Sequence, residues 1–523
     1  TPPAFGWRRE THVNPSITVW RLGFQGTTEE ASPVAEQRGY SHTPDIVPFP
    51  TTLSLEPLSP SELETVRNGI KYLMAEVGVH FPSRQALEIF GDRGAEVAWE
   101  EALVRIPPDL VDEAMATAPR SFVLGGREER FDLTLDGSCS YLCTDGTGVH
   151  VVDLQTREAR PSCKADVAMM ARVCDALPMI SFFWPLVSAQ DYGPTAPLHQ
   201  CHAGLSHTLK HVRGGMTVPA RLARYIVEMA TVVAGDEQAR RERPPICANI
   251  CTIAPLAHDE DGIEAGLVYA EAGIPTSFMA MPTMGSTAPA TPLGALVVGG
   301  AEVVSGMVLL QLAYPGAPVF HSIIASLLHP RTGGYIGGVS LPVTAMAVQL
   351  AHAWGVPSLD GGGVAADSPG IDWQTGSEGG TGSIVTPLIQ GEICGYMGLT
   401  GGSMILYPEK VILDHELYQG AYEWWHEFAF DADDMALDVV ATVGPRGHFL
   451  AQKHTRRRIR DFRFSGLLHQ YSVDGDLRDP HELALETFNR ILETHEPQPL
   501  PDAVQAELAR ILTAADREAE RIG

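Results

Sequence analysis

A short apolar run ending in Gly, Pro, Ser or His, then a loop, then an amphipathic helix of small residues: this unit recurs seven times between Pro178 and Tyr396. The runs are PMISFFWPL (178–186), HVRGGMTV (211–218), ICANICTI (246–253), IPTSFMAM (274–281), PVFHSIIA (318–325), VPSLDGGG (356–363) and EICGYMGL (392–399), and CSYLCTDG (139–146) makes an eighth. Their starts lie roughly 30–40 residues apart, the pitch of a strand–helix unit. Eight such units in series predict an α/β fold, a (β/α)8 TIM barrel. Function is then expected in the loops that follow the strands.

The flanks differ from this repeat. Residues 1–58 are polar and proline-rich and read as an N-terminal arm that wraps the body or a neighbouring subunit. Residues 59–138 read as a helical cap. Ser59, Pro60 and Glu62 form a capping-box start, and Val66, Ile70, Leu73, Met74 and Val77 keep a helical period. SRQALEIFGDRG and PPDLVDEAMATAP give two more helices. The barrel is expected over 139–417. Residues 418–523 turn acidic and aromatic, then basic at Arg456–Arg460, and finish as two amphipathic segments; they read as a C-terminal helical extension. The arm and the 418–434 segment suggest subunit contacts, hence a homo-oligomer, a dimer or higher.

At 523 residues the chain can bury a large core, and a net charge of −27 opposes binding to nucleic acid or an anionic membrane. No membrane span is expected. Eight cysteines, mostly in presumed strands and helices, point to free buried thiols in a reducing compartment, the cytoplasm. Cys139/Cys143 and Cys247/Cys251 share a spacing that places both thiols on one strand face. Barrel packing is the favoured reading there, and zinc the other.

The strand ends offer Asp145 with Thr147, Trp184 with Asp191 and Tyr192, Met216–Thr217, Pro255 with His258, Pro282 to Ser286, His321 with Ser322 and Ser326, Asp360 to Asp367, and Met397 to Thr400. No phosphate-binding loop, dinucleotide fingerprint, nucleophile elbow or HExxH helix occurs among them. The stretch HQCHAGLSHTLKHV, with His199, Cys201, His202, His207 and His211, is a candidate for metal and the basis of an alternative, a metal-dependent barrel hydrolase or lyase. What the loops do carry is rings: Phe182, Phe183, Trp184, Tyr192, Phe320, Tyr335, Trp373 and Tyr396. An aromatic mouth with few acid/base groups suits a cation that is held and not protonated, such as a quaternary ammonium.

Several longer stretches carry a resemblance. They are YLMAEVGVHFPSRQALEIFGDRGAEV, VRIPPDLVDEAMATAPRSFVLGGR, GTGVHVVDLQTREARPS, LGALVVGGAEVVSGMVLLQLAYPGAPV, GGGVAADSPGIDWQTGSEGG and GPRGHFLAQKHTRRR. In this order they resemble the trimethylamine methyltransferase (MttB-type) superfamily of corrinoid-dependent methyltransferases, from about Ser61 to Arg478. The resemblance implies a barrel with helical additions and methyl transfer from a tertiary or quaternary amine to the cobalt of a separate corrinoid protein. The cofactor is thus implied to be a corrinoid carried by that partner, with no tightly bound metal in this chain. Archaeal members carry pyrrolysine near the loop of the seventh unit, where this chain has Asp367-Ser368-Pro369. It therefore resembles the non-pyrrolysine branch, whose members act on glycine betaine and related amines. Asp372, Gln374, Gly376 and Glu378 match the pattern that opens the helix after that loop. Glycines 379, 380 and 382 within that helix depart from good helix-forming sequence.

On this reading Trp184, Phe320, Tyr335 and Trp373 form the ammonium pocket, and His321 fixes a carboxylate or hydroxyl of the substrate. Asp145, Asp367, Asp372 and Glu378 set the pocket's electrostatics or hold the seventh-unit loop. Asp372 and Glu378 have a second explanation, stabilisation of a helix start by its dipole. A non-catalytic betaine-binding scaffold is the remaining alternative.

Overall fold

The computed structural model describes residues 41–51, 54–337, 341–426, 432–459 and 466–522. Most of the N-terminal arm, residues 1–40, and Arg460 of the basic run lie outside the described residues. The chain is mixed α/β, organised round a curled and mainly parallel sheet. Its strands are β1 (Cys139–Thr144), β2 (Phe182–Phe183), β3 (His211–Met216), β4 (Ile246–Cys251), β5 (Thr276–Ala280), β6 (Val319–Ile323) and β7 (Ile393–Met397). Each of β1 to β5 pairs in parallel with the next, and β7 returns to pair in parallel with β1.

The sixth run of the sequence, VPSLDGGG, forms no full strand. It nevertheless bridges β6 and β7. Pro357 O accepts the His321 N–H at 3.0 Å, Leu359 N–H donates to His321 O at 2.8 Å, and Ser358 O accepts the Ile393 N–H at 3.0 Å. Pro357 has no N–H to give to a ladder, which cuts the pairing short. The glycines that follow permit close backbone contact. A Cβ on Gly361 would lie 2.1 Å from Cys394 Cβ, and one on Gly382 would lie 2.0 Å from Gly363 O. The helix Trp373–Ile389 accepts poor helix formers because only glycine lets it press against this loop.

The helices cover the sheet's outer face. The helix Pro292–Ala313 is long and apolar enough to cross a membrane by length and composition alone. It lies 83% buried over its most apolar window, packed on β5, β6 and the helix Pro60–Tyr72. Helices pack outside because strand side chains alternate. Phe278 faces Gly306 of that helix, whereas its neighbour Met279 faces inward.

The segment 59–138 is helical only in part. Its three expected helices are present at Pro60–Tyr72, Arg84–Asp92 and Pro108–Met115, and Ser59 and Glu62 close the capping box on each other's backbone N–H. Between and after them lie a small sheet of Val79–His80, Glu96–Ala98 and Leu103–Arg105 and a hairpin of Phe122–Leu124 with Leu133–Leu135. Strands of two or three residues are too short to display a period of two, so the sequence hid them. The hairpin plugs the lower end of the curled sheet. Its Leu124, Leu133 and Leu135 pack with Tyr141, Phe182 and Phe320.

Residues 41–51 run along the body. Phe49–Pro50 adds an antiparallel strand to β1. Asp175 joins three regions: Thr43 donates to it at 2.6 Å, Thr208 at 2.9 Å and His495 at 2.8 Å. The helix Lys410–His426 runs across the 417/418 boundary read from composition. The two expected C-terminal helices appear as Pro480–Thr494 and Asp502–Ile522.

Candidate active site

A cavity of about 610 Å³ opens at the C-terminal ends of the parallel strands. Its walls carry Asp145, Asp360, Asp367 and Glu378, the rings of Trp184, Tyr335 and Tyr396, and Met279 and Met281. No Lys, Arg or His lines it among the described residues. Four carboxylates and three rings in one cavity are chemically suited to a cation.

Each acid is fixed by its own local structure. Asp145 follows β1; its carboxylate accepts from Ser403 Oγ at 2.6 Å and from the Gly146 N–H at 2.8 Å. Burial pushes its pKa up to about 6, against the restraining effect of those two hydrogen bonds. Asp367 Oδ1 accepts the Gly337 N–H at 3.0 Å, and the Asp367 N–H donates to Glu378 Oε2 at 2.9 Å. Glu378 also accepts from Gln374 at 2.8 Å, one turn earlier on the same helix. Asp360 ends the bridging segment 356–360 and accepts from Ser358 Oγ at 3.0 Å and His321 Nδ1–H at 2.8 Å.

The rings are equally held. Trp184 is 7% exposed, donates Nε1–H to Thr147 Oγ1 at 3.3 Å and meets Tyr396 edge-on, centroids 6.2 Å apart. Tyr396 OH donates to Leu359 O at 2.5 Å. Tyr335, 56% exposed at the rim, donates to Gly402 O at 2.7 Å.

Of the nine residues singled out from the sequence, the structure brings Asp145, Trp184, Tyr335, Asp367 and Glu378 together. It places the other four elsewhere. Phe320 is fully buried, stacked 5.9 Å from Phe122 of the plugging hairpin, below the cavity. His321 alternates with Phe320 and so points to the opposite face of β6; it orients Asp360 from outside the cavity. Asp372 is the N-cap of Trp373–Ile389, accepting the Thr375 N–H at 3.0 Å and the Ser368 hydroxyl at 2.6 Å, and the Ser368 bond holds its pKa below the usual range. Trp373, in the first turn, is 88% exposed. Strand alternation explains the first two and position at the helix start the last two: local sequence gives the element, but not which way its side chains point relative to a distant strand.

The histidine stretch does not converge. His199 bonds Lys164 and Asp516, His207 bonds its own helix at Ala203 O, and His211 bonds Gly125 O. Among the described residues no group of three or more His, Cys, Asp or Glu is placed to hold a metal ion. The cysteines are free, with Cys143 and Cys247 buried inside the curled sheet.

The trimethylamine methyltransferase (MTTB) family profile matches residues 26–520. This chain belongs to that family. It is 30% identical over 467 residues to the trimethylamine methyltransferase of Desulfitobacterium hafniense (strain DSM 10664 / DCB-2), covering 88% of this chain and 94% of the relative. The glycine betaine methyltransferase of Desulfitobacterium hafniense (strain Y51) is 28% identical, covering 88% of this chain and 97% of its own. Among solved structures, the monomethylamine methyltransferase of Methanosarcina barkeri aligns over 90% of this chain and 88% of its own, at 11% identity and a TM-score of 0.44. The chain is a methyltransferase, and the cavity is its candidate amine site.

Three features of this methyltransferase's cavity were not singled out from the sequence. Asp360 stood among the strand-end residues and Tyr396 among the rings, neither with an assigned part. Arg213, behind Trp184, was not marked at all; the available signal was a charged residue at an inward position of an otherwise apolar run, HVRGGM.

Proposed function

We propose that this methyltransferase moves a methyl group from a quaternary or tertiary amine, such as a betaine, to the Co(I) of a corrinoid held by a separate partner protein. The observation that carries this reading is the acidic, ring-lined cavity with no basic side chain in its wall among the described residues. The names of its relatives, trimethylamine and glycine betaine methyltransferases, support the same class of donor.

The chain's own residues have three tasks. Trp184, Tyr396 and the methionines present soft, polarisable surface to N-methyl groups, while Asp145, Asp360, Asp367 and Glu378 supply the opposing charge. Together they aim one N–CH3 bond outward, a positioning effect that supplies up to about 7–11 kcal/mol in model reactions. A low-polarity wall also favours the transition state, in which the ammonium charge disperses as the C–N bond breaks. A quaternary donor leaves as a neutral amine and needs no general acid. A protonated tertiary donor likewise leaves as a neutral secondary amine, its proton staying on nitrogen, and the Asp145 carboxylate in the cavity wall would accept the hydrogen bond of that N–H.

Cob(I)alamin chemistry supplies a strong nucleophile when the partner docks. The rim suits docking: Met281 at 47%, Met404 at 43% and Trp373 at 88% exposure leave apolar surface round the mouth. We read the curled sheet as a (β/α)8 barrel closed through 356–360, with the divisions 1–58, 59–138, 139–417 and 418–523. Eight free thiols support a cytoplasmic setting. The exposed apolar rim and the arm support a homo-oligomer.

Purified chain mixed with cob(I)alamin or a corrinoid protein and a panel of tertiary and quaternary amines tests the reaction. Loss of the Co(I) absorbance together with release of the demethylated amine is the expected result. Amine binding without turnover across the whole panel would instead make the chain a scaffold.

A further inference from the structure

Arg213 has no established part in the reaction and, among the described residues, its side chain has no hydrogen-bond or ion-pair partner. It projects from β3 on the same face as His211, which stacks on Phe182 in the interior, 5.2 Å between centroids. The guanidinium is 5% exposed, and its carbon lies 3.1 Å from the centroid of the Trp184 ring. Its Nη1 is enclosed and makes no hydrogen bond. The groups that face it are the thiols of Cys143, Cys247 and Cys251 and the phenol of Tyr396. None is an anion: burial pushes Cys143 and Cys247 up to about 12 and raises Cys251 and Tyr396. Asp145 feels the charge from further off, and its oxygens are engaged by Ser403 and Gly146. Among the described residues this buried cation, with an unused donor, has no carboxylate bonded to it as a counter-ion.

Trp184 and Tyr396 both touch this guanidinium's surroundings and line the cavity. Trp184 lines the acidic cavity and lies against a single cation that is not itself part of the cavity wall. We infer that Arg213 receives the carboxylate of the methyl donor, so that the site selects carboxylated quaternary amines over purely cationic ones. This rests on the amine reading above and assigns one residue to substrate choice within it. The polarity fits the reaction's geometry. A carboxylate anchored on the planar guanidinium fork beside Trp184 turns the opposite end, the N-methyl groups, toward the mouth. The cavity's carboxylates then hold the ammonium, and the zwitterion satisfies both charges at once.

The test is calorimetric binding to the full chain of glycine betaine, its methyl ester and choline, in the wild type, Arg213→Met and Arg213→Lys. The wild type is expected to bind the betaine about 10–100-fold more tightly than its ester, the range for a charged hydrogen-bonded pair. Arg213→Met should erase that preference while leaving ester and choline affinities in place, and Arg213→Lys should keep part of it. Equal binding of betaine and ester by the wild type would overturn the assignment, as would an Arg213→Met protein that weakens all three ligands alike. Should Arg213→Met fail to fold, the wild-type panel and Arg213→Lys decide on the same criteria. Chloride or phosphate alone raising the melting temperature as far as betaine does, an effect lost with Arg213, would assign the site to a free anion and also overturn it. A betaine preference without turnover of any amine would remove the proposed reaction and leave this subsite. Turnover without the preference would do the reverse.

Discussion

Phe182 and Phe320 point into the same curled sheet as Trp184 and Tyr396, yet the two sets of rings meet different surroundings. Below, the hairpin 122–135 inserts Leu124, Leu133 and Leu135 among the phenylalanines, and both rings are fully buried. Above, the rings face a cavity with four carboxylates and keep a polar handle: Trp184 bonds Thr147 and Tyr396 bonds Leu359. The lower set fixes the shape of the sheet, and the upper set offers a surface for a ligand. A phenylalanine serves the first purpose and lacks a donor for the second. The contrast shows that an inward ring is a site residue only above the level where the plug ends.

The largest effect is expected below. Phe320→Ala should cost about 3–5 kcal/mol in chemical denaturation, the usual range for emptying a buried aromatic site, while the folded protein keeps its amine affinity. A stable Phe320→Ala protein that loses amine binding would break the comparison, because it would move this ring into the upper set.

A smaller effect is expected above, and it depends on pH. Asp145 ionises near 6 in the folded chain against an ordinary 3.8, so the folded state binds the proton more tightly than the unfolded state. Its contribution to stability therefore falls as pH rises from about 4 through about 6. Amine binding should run the other way, strengthening as pH rises through 6, because the cation favours the carboxylate. Asp145→Asn should flatten the binding profile, measured by titration at several pH values. A profile unchanged in that variant would detach Asp145 from the ligand.

The smallest effect concerns the rim. Trp373→Ala should change stability by no more than about 0.5 kcal/mol and leave the amine dissociation constant as it was, since the ring is 88% exposed. A rise of a few-fold in the apparent KM for the corrinoid partner is the change to look for in steady-state assays. Loss of amine affinity instead would return Trp373 to the pocket.

Particular residues show where sequence reading ends. The capping box at Ser59 and Glu62 was legible, because cap and partner lie three residues apart on one chain segment. The strand runs were legible for the same reason, although VPSLDGGG resolved into a bridging segment once Pro357 withheld its N–H. Phe320 and His321 were both marked for the pocket. Consecutive strand residues face opposite sides, so at most one of them was able to point inward, and the plug decided against that one. Arg213 escaped notice because its significance lies in what does not surround it, and neighbours contributed by β1, β4 and β7 are remote in the chain.

The sequence by itself determined the succession of strand–helix units, the caps that begin their helices, the family and the kind of chemistry. These rest on spacing along the chain and on side-chain type. The curl of the sheet, the depth of the plugging hairpin and the meeting of Asp145, Asp360, Asp367 and Glu378 in one cavity were decided only by the tertiary structure. Each depends on the register between strands and on the side to which a side chain turns, and a shift of one residue reverses that side while leaving the local pattern unchanged.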